Sequence, residues 1–146
     1  SYEASFSFPS SFSGRKTLMI QAITEDNFIG VAHRTFIINP DSNVPTIKLH
    51  TPANNSKTTE KAFPLTIKTT ATDSSGIDFV DILYTKEGAS GTSRIARVTT
   101  PAASPANRYD GVWTVPPGPG TYVIYAVAYD KTGNTTESER NTLIIE

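Results

Sequence analysis

Cysteine is absent from the 146 residues, which removes disulfides, thiol chemistry and thiolate metal sites together. Histidine is nearly absent: His33 and His50 are the only two. Neither falls in a nucleophile arrangement, and the chain has no Gly-x-Ser-x-Gly elbow, no His-Glu-x-x-His and no phosphate loop. Charge is also scarce, with 18% charged residues and a formal net charge of -1. A sequence pI near 6.1 and no basic stripe argue against nucleic acid as a partner. No apolar run approaches the roughly 20 residues that span a bilayer, which argues against direct membrane insertion. The first residues lack the basic-then-apolar pattern of a signal peptide, so any export signal is expected outside this chain.

What the chain does have is Thr, Ser, Pro, Tyr, Phe, Val and Ile, a composition that favours short strands over long helices. It also repeats itself. The segment from Tyr2 to Asn39 aligns with the segment from Tyr109 to Glu146. Phe6, Phe8 and Pro9 correspond to Trp113, Val115 and Pro116, and a Gly-containing turn follows each. Thr17, Leu18, Ile20, Ala22 and Asp26 then match Thr121, Tyr122, Ile124, Ala126 and Asp130. Both copies turn at a glycine, Gly30 or Gly133, and close on a last strand, Thr35 to Ile38 or Thr142 to Ile145.

The stretch from Val44 to Arg108 has no upstream counterpart and supplies the opening strands of the second copy. Thr46 to His50 alternates, Phe63 to Thr72 puts Leu65, Ile67, Thr69 and Ala71 on one face, and Phe79 to Thr85 points Val80, Ile82 and Tyr84 inward. Arg94 to Thr99 reads as an edge strand. The expectation is an all-β protein: an immunoglobulin-like Greek-key β-sandwich of about seven strands, preceded by a partial second copy of three strands. Residues 1–39 read as the closing strands of an upstream domain, 40–45 as a stiff linker with Pro40 and Pro45, and 46–146 as a complete domain. A three-stranded partial copy would expose an apolar face, to be covered by an upstream segment, a neighbouring chain or the second domain.

Val44 to Glu146 resembles the bacterial Ig-like repeats that occur in tandem in secreted polysaccharide hydrolases, proteases and surface adhesins. The residues that carry the likeness are Pro45-Thr46-Ile47 leading to Thr51-Pro52-Ala53-Asn54, Ala71-Thr72-Asp73 with Gly76, Trp113-Thr114-Val115-Pro116, Gly120-Thr121-Tyr122, and Ala126-Val127-Ala128 with Asp130, Gly133 and Asn134. The sequence departs from that pattern between Lys86 and Arg108. The resemblance implies a non-catalytic spacer or binding platform of a multidomain extracellular or cell-surface protein, with neighbouring domains of the same polypeptide as its partners.

Two surfaces are candidates for binding. The turn after the second strand (Asp73 to Gly76), the turn after the sixth (Asp130 to Asn134) and the incoming linker should share one end of a sandwich. Asp41, Asn43, Asp73 and Asp130 are therefore candidate calcium ligands, calcium being bound by six to eight oxygens. Asp and Asn beside Gly are equally what tight turns require. The second surface is the outer face of the sixth strand, where alternation places Tyr125 and Tyr129, joined by Leu83 from the third. Exposed tyrosines there would suit a glycan or a surface protein, unless the 86–108 stretch or a neighbouring domain covers them. Trp113 and Val115 are expected in the core, and Tyr122 resembles a tyrosine-corner residue.

Overall fold

The computed structural model describes residues 5, 14–38 and 41–146. The chain divides into two compact units, Ser1–Ser42 and Asn43–Glu146. In the first, β1 (Gly14–Ile23) and β2 (Ile29–Ile38) form an antiparallel hairpin in unbroken register from Gly14↔Ile38 to Ile23↔Ile29. The third strand expected around Phe6, Phe8 and Pro9 lies outside the described residues.

The second unit is a β-sandwich, and no α-helix occurs among the described residues. Its strands are β3 (Thr46–Thr51), β4 (Ser56–Thr58), β5 (Leu65–Thr72), β6 (Ile77–Lys86), β7 (Thr92–Val98), β8 (Gly111–Trp113), β9 (Gly120–Asp130), β10 (Thr135–Glu137) and β11 (Asn141–Ile145). One sheet runs β3-β5-β8; the other runs β4-β11-β9-β6-β7, with β10 also on β9. The nine segments are seven strands, two of which are interrupted. The first strand switches sheets: β3 pairs β5, the chain leaves the ladder at Pro52, and β4 pairs parallel to β11. Proline has no N–H to donate, and the crossing is pinned by Asn141 Nδ2 to Pro52 O (2.8 Å) and Thr142 N to Asn54 Oδ1 (2.8 Å). The last strand breaks at Ser138, whose hydroxyl accepts from Ala126 N (2.9 Å) and so replaces one rung of the ladder.

Alternation fills the space between the sheets. Leu49, Ile67, Thr69 and Ala71 from one sheet meet Val80, Ile82, Tyr122, Ile124, Ala126, Ala128, Leu143 and Ile145 from the other, all buried. The hydroxyl of Thr69 donates to the Tyr109 carbonyl, so this polar core residue is satisfied. Trp113 anchors the lower half, with Tyr84, Phe63 and Tyr122 around it at ring centroid distances of 4.6, 5.5 and 5.9 Å. Val115, expected inward beside Trp113, is instead 72% exposed. The strand stops at Trp113 because Pro116 and Pro117 follow, and once the strand ends its alternation has no force.

The two hairpin turns are one device used twice. In β9–β10, Asp130 N donates to Asn134 O (3.0 Å), Gly133 N to Asp130 O (3.3 Å), and Asn134 N to Asp130 Oδ1 (2.8 Å). In β1–β2, Thr24 N donates to Phe28 O (3.0 Å), Asn27 N to Thr24 O (3.0 Å), and Phe28 N to Thr24 Oγ1 (3.1 Å). The left-handed position is Gly133 (φ 96°) in one and Asn27 (φ 63°) in the other. Structurally, then, Thr24 corresponds to Asp130, two residues from the Asp26–Asp130 match that the sequence suggests. A two-residue shift preserves every inward and outward assignment, so hydrophobic alternation cannot detect it. Asn27, which tolerates a left-handed φ, does the work expected of Gly30.

Candidate functional site

The end of the sandwich that carries the acidic turns is assembled by its own hydrogen bonds. Lys131 N donates to Gly76 O (3.0 Å), tying the β9–β10 turn to the β5–β6 turn, and Asn134 Nδ2 donates to Asn43 O (2.9 Å), tying it to the incoming strand. Asp73 and Asp130 each offer a carboxylate oxygen within 4.8 Å of the other. Asn43 joins them through its carbonyl; Asp41 belongs to the first unit.

Both carboxylates are engaged. Asp130, 2% exposed, accepts from Thr132 N (2.8 Å), Thr132 Oγ1 (2.9 Å) and Asn134 N (2.8 Å) on Oδ1, and from Asn134 Nδ2 (2.8 Å) on Oδ2. Burial pushes the Asp130 carboxyl up, but the bonds from Asn134 and Thr132 together outweigh it and hold the group below its ordinary value of 3.8. Asp73 Oδ1 accepts from Ser75 N (2.7 Å) and Ser75 Oγ (2.6 Å). Calcium needs six to eight oxygens. Asp73 Oδ1 and both oxygens of Asp130 accept hydrogen bonds within their turns, and serving a cation would require those oxygens to share or exchange their donors. Asn134 also begins a glycosylation tripeptide, yet its amide nitrogen is held by Asn43, Asp130 and Thr132.

An open cleft of about 600 Å³ lies beside this end, with Asp73, Asp78, Tyr109, Asn107 and Lys131 in its wall. Burial pushes the Tyr109 phenol up, which keeps it neutral. Asp78 is exposed and Asp73 is occupied with Ser75, so no pair of carboxylates faces an enclosed space here.

The tyrosine face is the outer side of the larger sheet, and the structure brings its predicted members into one register: Leu83 opposite Tyr125, and Phe79 opposite Tyr129. Tyr125 is buried, and Leu83 and Tyr129 are partly buried. Tyr125 is only 7% exposed, with the Arg140 guanidinium 4.2 Å above its ring and Glu137 holding that arginine at 2.7 Å. Tyr129 stacks on Phe79 at 4.3 Å, and Arg97 lies 3.9 Å over Phe79. Arg97 is fixed in turn by a bidentate pair with Asp81 (2.8 and 2.6 Å), with Arg94 at 3.8 Å. From the 86–108 stretch, Arg97 of β7 lies over Phe79, and Thr92 Oγ1 is 3.4 Å from the Tyr125 hydroxyl. Asp81, Arg97, Phe79 and Arg140 were not legible as a group because they meet only across strands, where sequence spacing is silent.

No protein-family model and no curated protein matches this chain. Among solved structures, the fibronectin(III)-like modules of Clostridium thermocellum CbhA are similar over 91% of this chain, with 24% identity and a TM-score of 0.55. The chain spans 62% of that structure's length. Domains of titin match over 80% of this chain and 37% of theirs at 16% identity (TM-score 0.44). A Thermotoga maritima structure named for superoxide reductase matches over 73% of this chain and 88% of its own at 12% identity (TM-score 0.41). The likeness to the CbhA modules is one of fold: the second unit is a β-sandwich of the fibronectin(III)-like type. Among the described residues no helix is long and apolar enough to cross a membrane.

Proposed function

We propose that this chain is a non-catalytic structural spacer and interaction module of a larger secreted or cell-surface multidomain protein, one of a tandem series of like modules. One observation carries the reading: the chain enters and leaves the second unit at opposite ends. Asn43 is bonded to the β9–β10 turn, where β9 ends, whereas Ile145 pairs with Gly120, where β9 begins. Eleven residues of β9 separate those ends, about 35 Å at the usual strand rise. A module threaded this way extends a polypeptide instead of folding it back. The carboxylates of its acidic turns are held by the turns themselves, which suits a part that sets distance and orientation.

The reading that uses Leu83, Tyr125 and Tyr129 for a glycan or protein has less support, because Arg140 and Arg97 already occupy that aromatic surface. The test is calorimetric unfolding of the whole chain beside residues 43–146 alone. A self-contained module unfolds in one cooperative step with the same midpoint in both. A fragment that fails to fold, or melts far below the whole chain, removes the basis for the proposal.

A further inference from the structure

The three-stranded sheet presents a second outer face, and its chemistry differs from that of the aromatic one. Alternation along β3 and β5 turns Lys48, His50 and Lys68 to solvent, interleaved with Thr66 and Thr70, while Val112 of β8 supplies an exposed apolar spot. Lys48 lies directly opposite Thr70, and Lys68, two residues further along β5, is opposite Thr51 past a register shift at His50, so the two lysines sit diagonally on one face. His50 Nε2 is 2.9 Å from Thr70 Oγ1, which sets the imidazole beside them.

Charge on this face is uncompensated. Among the described residues neither lysine has a carboxylate partner, and Asp110, the carboxylate at the margin of the face, is taken by Arg108. On the opposite sheet every outward arginine named above is matched by Asp81 or Glu137. A chain of net charge -1 thus gathers a bare positive patch on one flat surface. Like charges set diagonally on a sheet repel each other, and a bound polyanion relieves that repulsion.

We propose that the outer face of β3, β5 and β8 is a docking surface for an acidic polysaccharide. The two lysines meet carboxylates spaced along the polymer, the threonine hydroxyls hydrogen-bond sugar hydroxyls, and Val112 packs against the apolar side of a ring. Among the described residues no Phe, Tyr or Trp lies on this face to stack successive bases, as single-stranded nucleic acid requires. Nor does it carry the long apolar stripe that inserts into a lipid surface. The proposal is independent of the spacer reading.

The experiment is an amide-resolved NMR titration of the whole chain with an oligogalacturonate, at low ionic strength and again in about 0.5 M salt. Saturating shifts confined to residues 46–50, 66–70 and 112, weakened about tenfold or more by salt, are expected. Lys48→Gln with Lys68→Gln should lower affinity about tenfold while leaving the rest of the spectrum in place; Lys131→Gln should not change it. The proposal is overturned by no shifts at millimolar oligomer, by shifts elsewhere, by binding that survives the double substitution, or by an equal response to an uncharged oligosaccharide. Tighter binding to oligothymidylate or to phosphatidylserine vesicles also overturns it, by identifying a different occupant.

Discussion

Gly111 is a point of close approach between the two sheets, and replacing it should show how tightly the sandwich is packed there. The residue is buried on β8, and an ideal Cβ there would lie 2.6 Å from Ile82 Cδ1 and 2.9 Å from Ala96 Cβ. Ile82 is fully buried in the middle of β6, so it has no open space into which to retreat. Overpacking of this kind costs about 1 to 3 kcal/mol. Taking about 2 kcal/mol and a unit of about a hundred residues, Gly111→Ala should lower the melting temperature by roughly 8 to 16 °C. The cause is specific, so it can be partly relieved specifically: Ile82→Val removes the nearer of the two methyls that the new Cβ strikes. Alone, Ile82→Val should cost about 1 kcal/mol. Combined, the two changes should be at least about 1 kcal/mol less damaging than their sum, since contacting residues couple. Thermal and urea unfolding of the four proteins measures this. Strict additivity, or a Gly111→Ala chain as stable as the parent, would refute the packing described for the two sheets.

Three further outcomes follow from the same geometry. Asp130→Ala removes the acceptor of four hydrogen bonds and should cost about 3 kcal/mol, allowing for their non-additivity. Because the folded pKa of Asp130 is depressed, its contribution is present above the ordinary value of 3.8 and fades as pH falls through the folded value; the variant should lose part of the acid-side decline in stability, read from urea unfolding between pH 2 and 6, and an unchanged acid limb would contradict the assignment. Tyr122→Phe deletes a hydroxyl that donates to Gly118 O at 2.9 Å and should lower the midpoint by about 4 to 8 °C, the equivalent of about 1 kcal/mol. With its turn carboxylates already bonded, the chain should melt at the same temperature in excess calcium and in chelator. A specific site at a hundredfold its dissociation constant would add about 2.7 kcal/mol, a rise of roughly 10 °C or more that would establish a metal role for Asp73 and Asp130.

Period-two alternation made most of the sandwich legible: Ile67, Thr69 and Ala71 on β5, and Val80 and Ile82 on β6, are buried as their spacing requires. Turn chemistry was legible as well, since Asp130 and Asp73 mark the two loops that meet at one end. What the sequence concealed depends on pairing between strands. The offset between Thr24 and Asp26 as the counterpart of Asp130 is invisible to a pattern with period two. Tyr125 and Tyr129 are on the outer face as alternation requires, but whether they are bare depends on Arg140, which reaches Tyr125 from between β10 and β11, and on Phe79 of β6, which stacks on Tyr129. The basic face has the same origin, because Lys48 and Lys68 become neighbours only when β3 pairs with β5. Val115 shows the opposite limit: its alternation was read correctly, on a strand that ends two residues earlier.

The central claim is that the second unit holds its entry and exit at a fixed separation along the strand axis. The absence of native cysteine makes this directly measurable by spin labels at Val44→Cys, which is exposed just before β3, and Glu146→Cys, just after β11. Dipolar spectroscopy of the doubly labelled chain should give one narrow distance distribution near about 35 to 45 Å, set by the length of β9 plus the label arms. A broad distribution, or a peak below about 25 Å, would mean that the ends are not held apart. The spacer account would then be wrong.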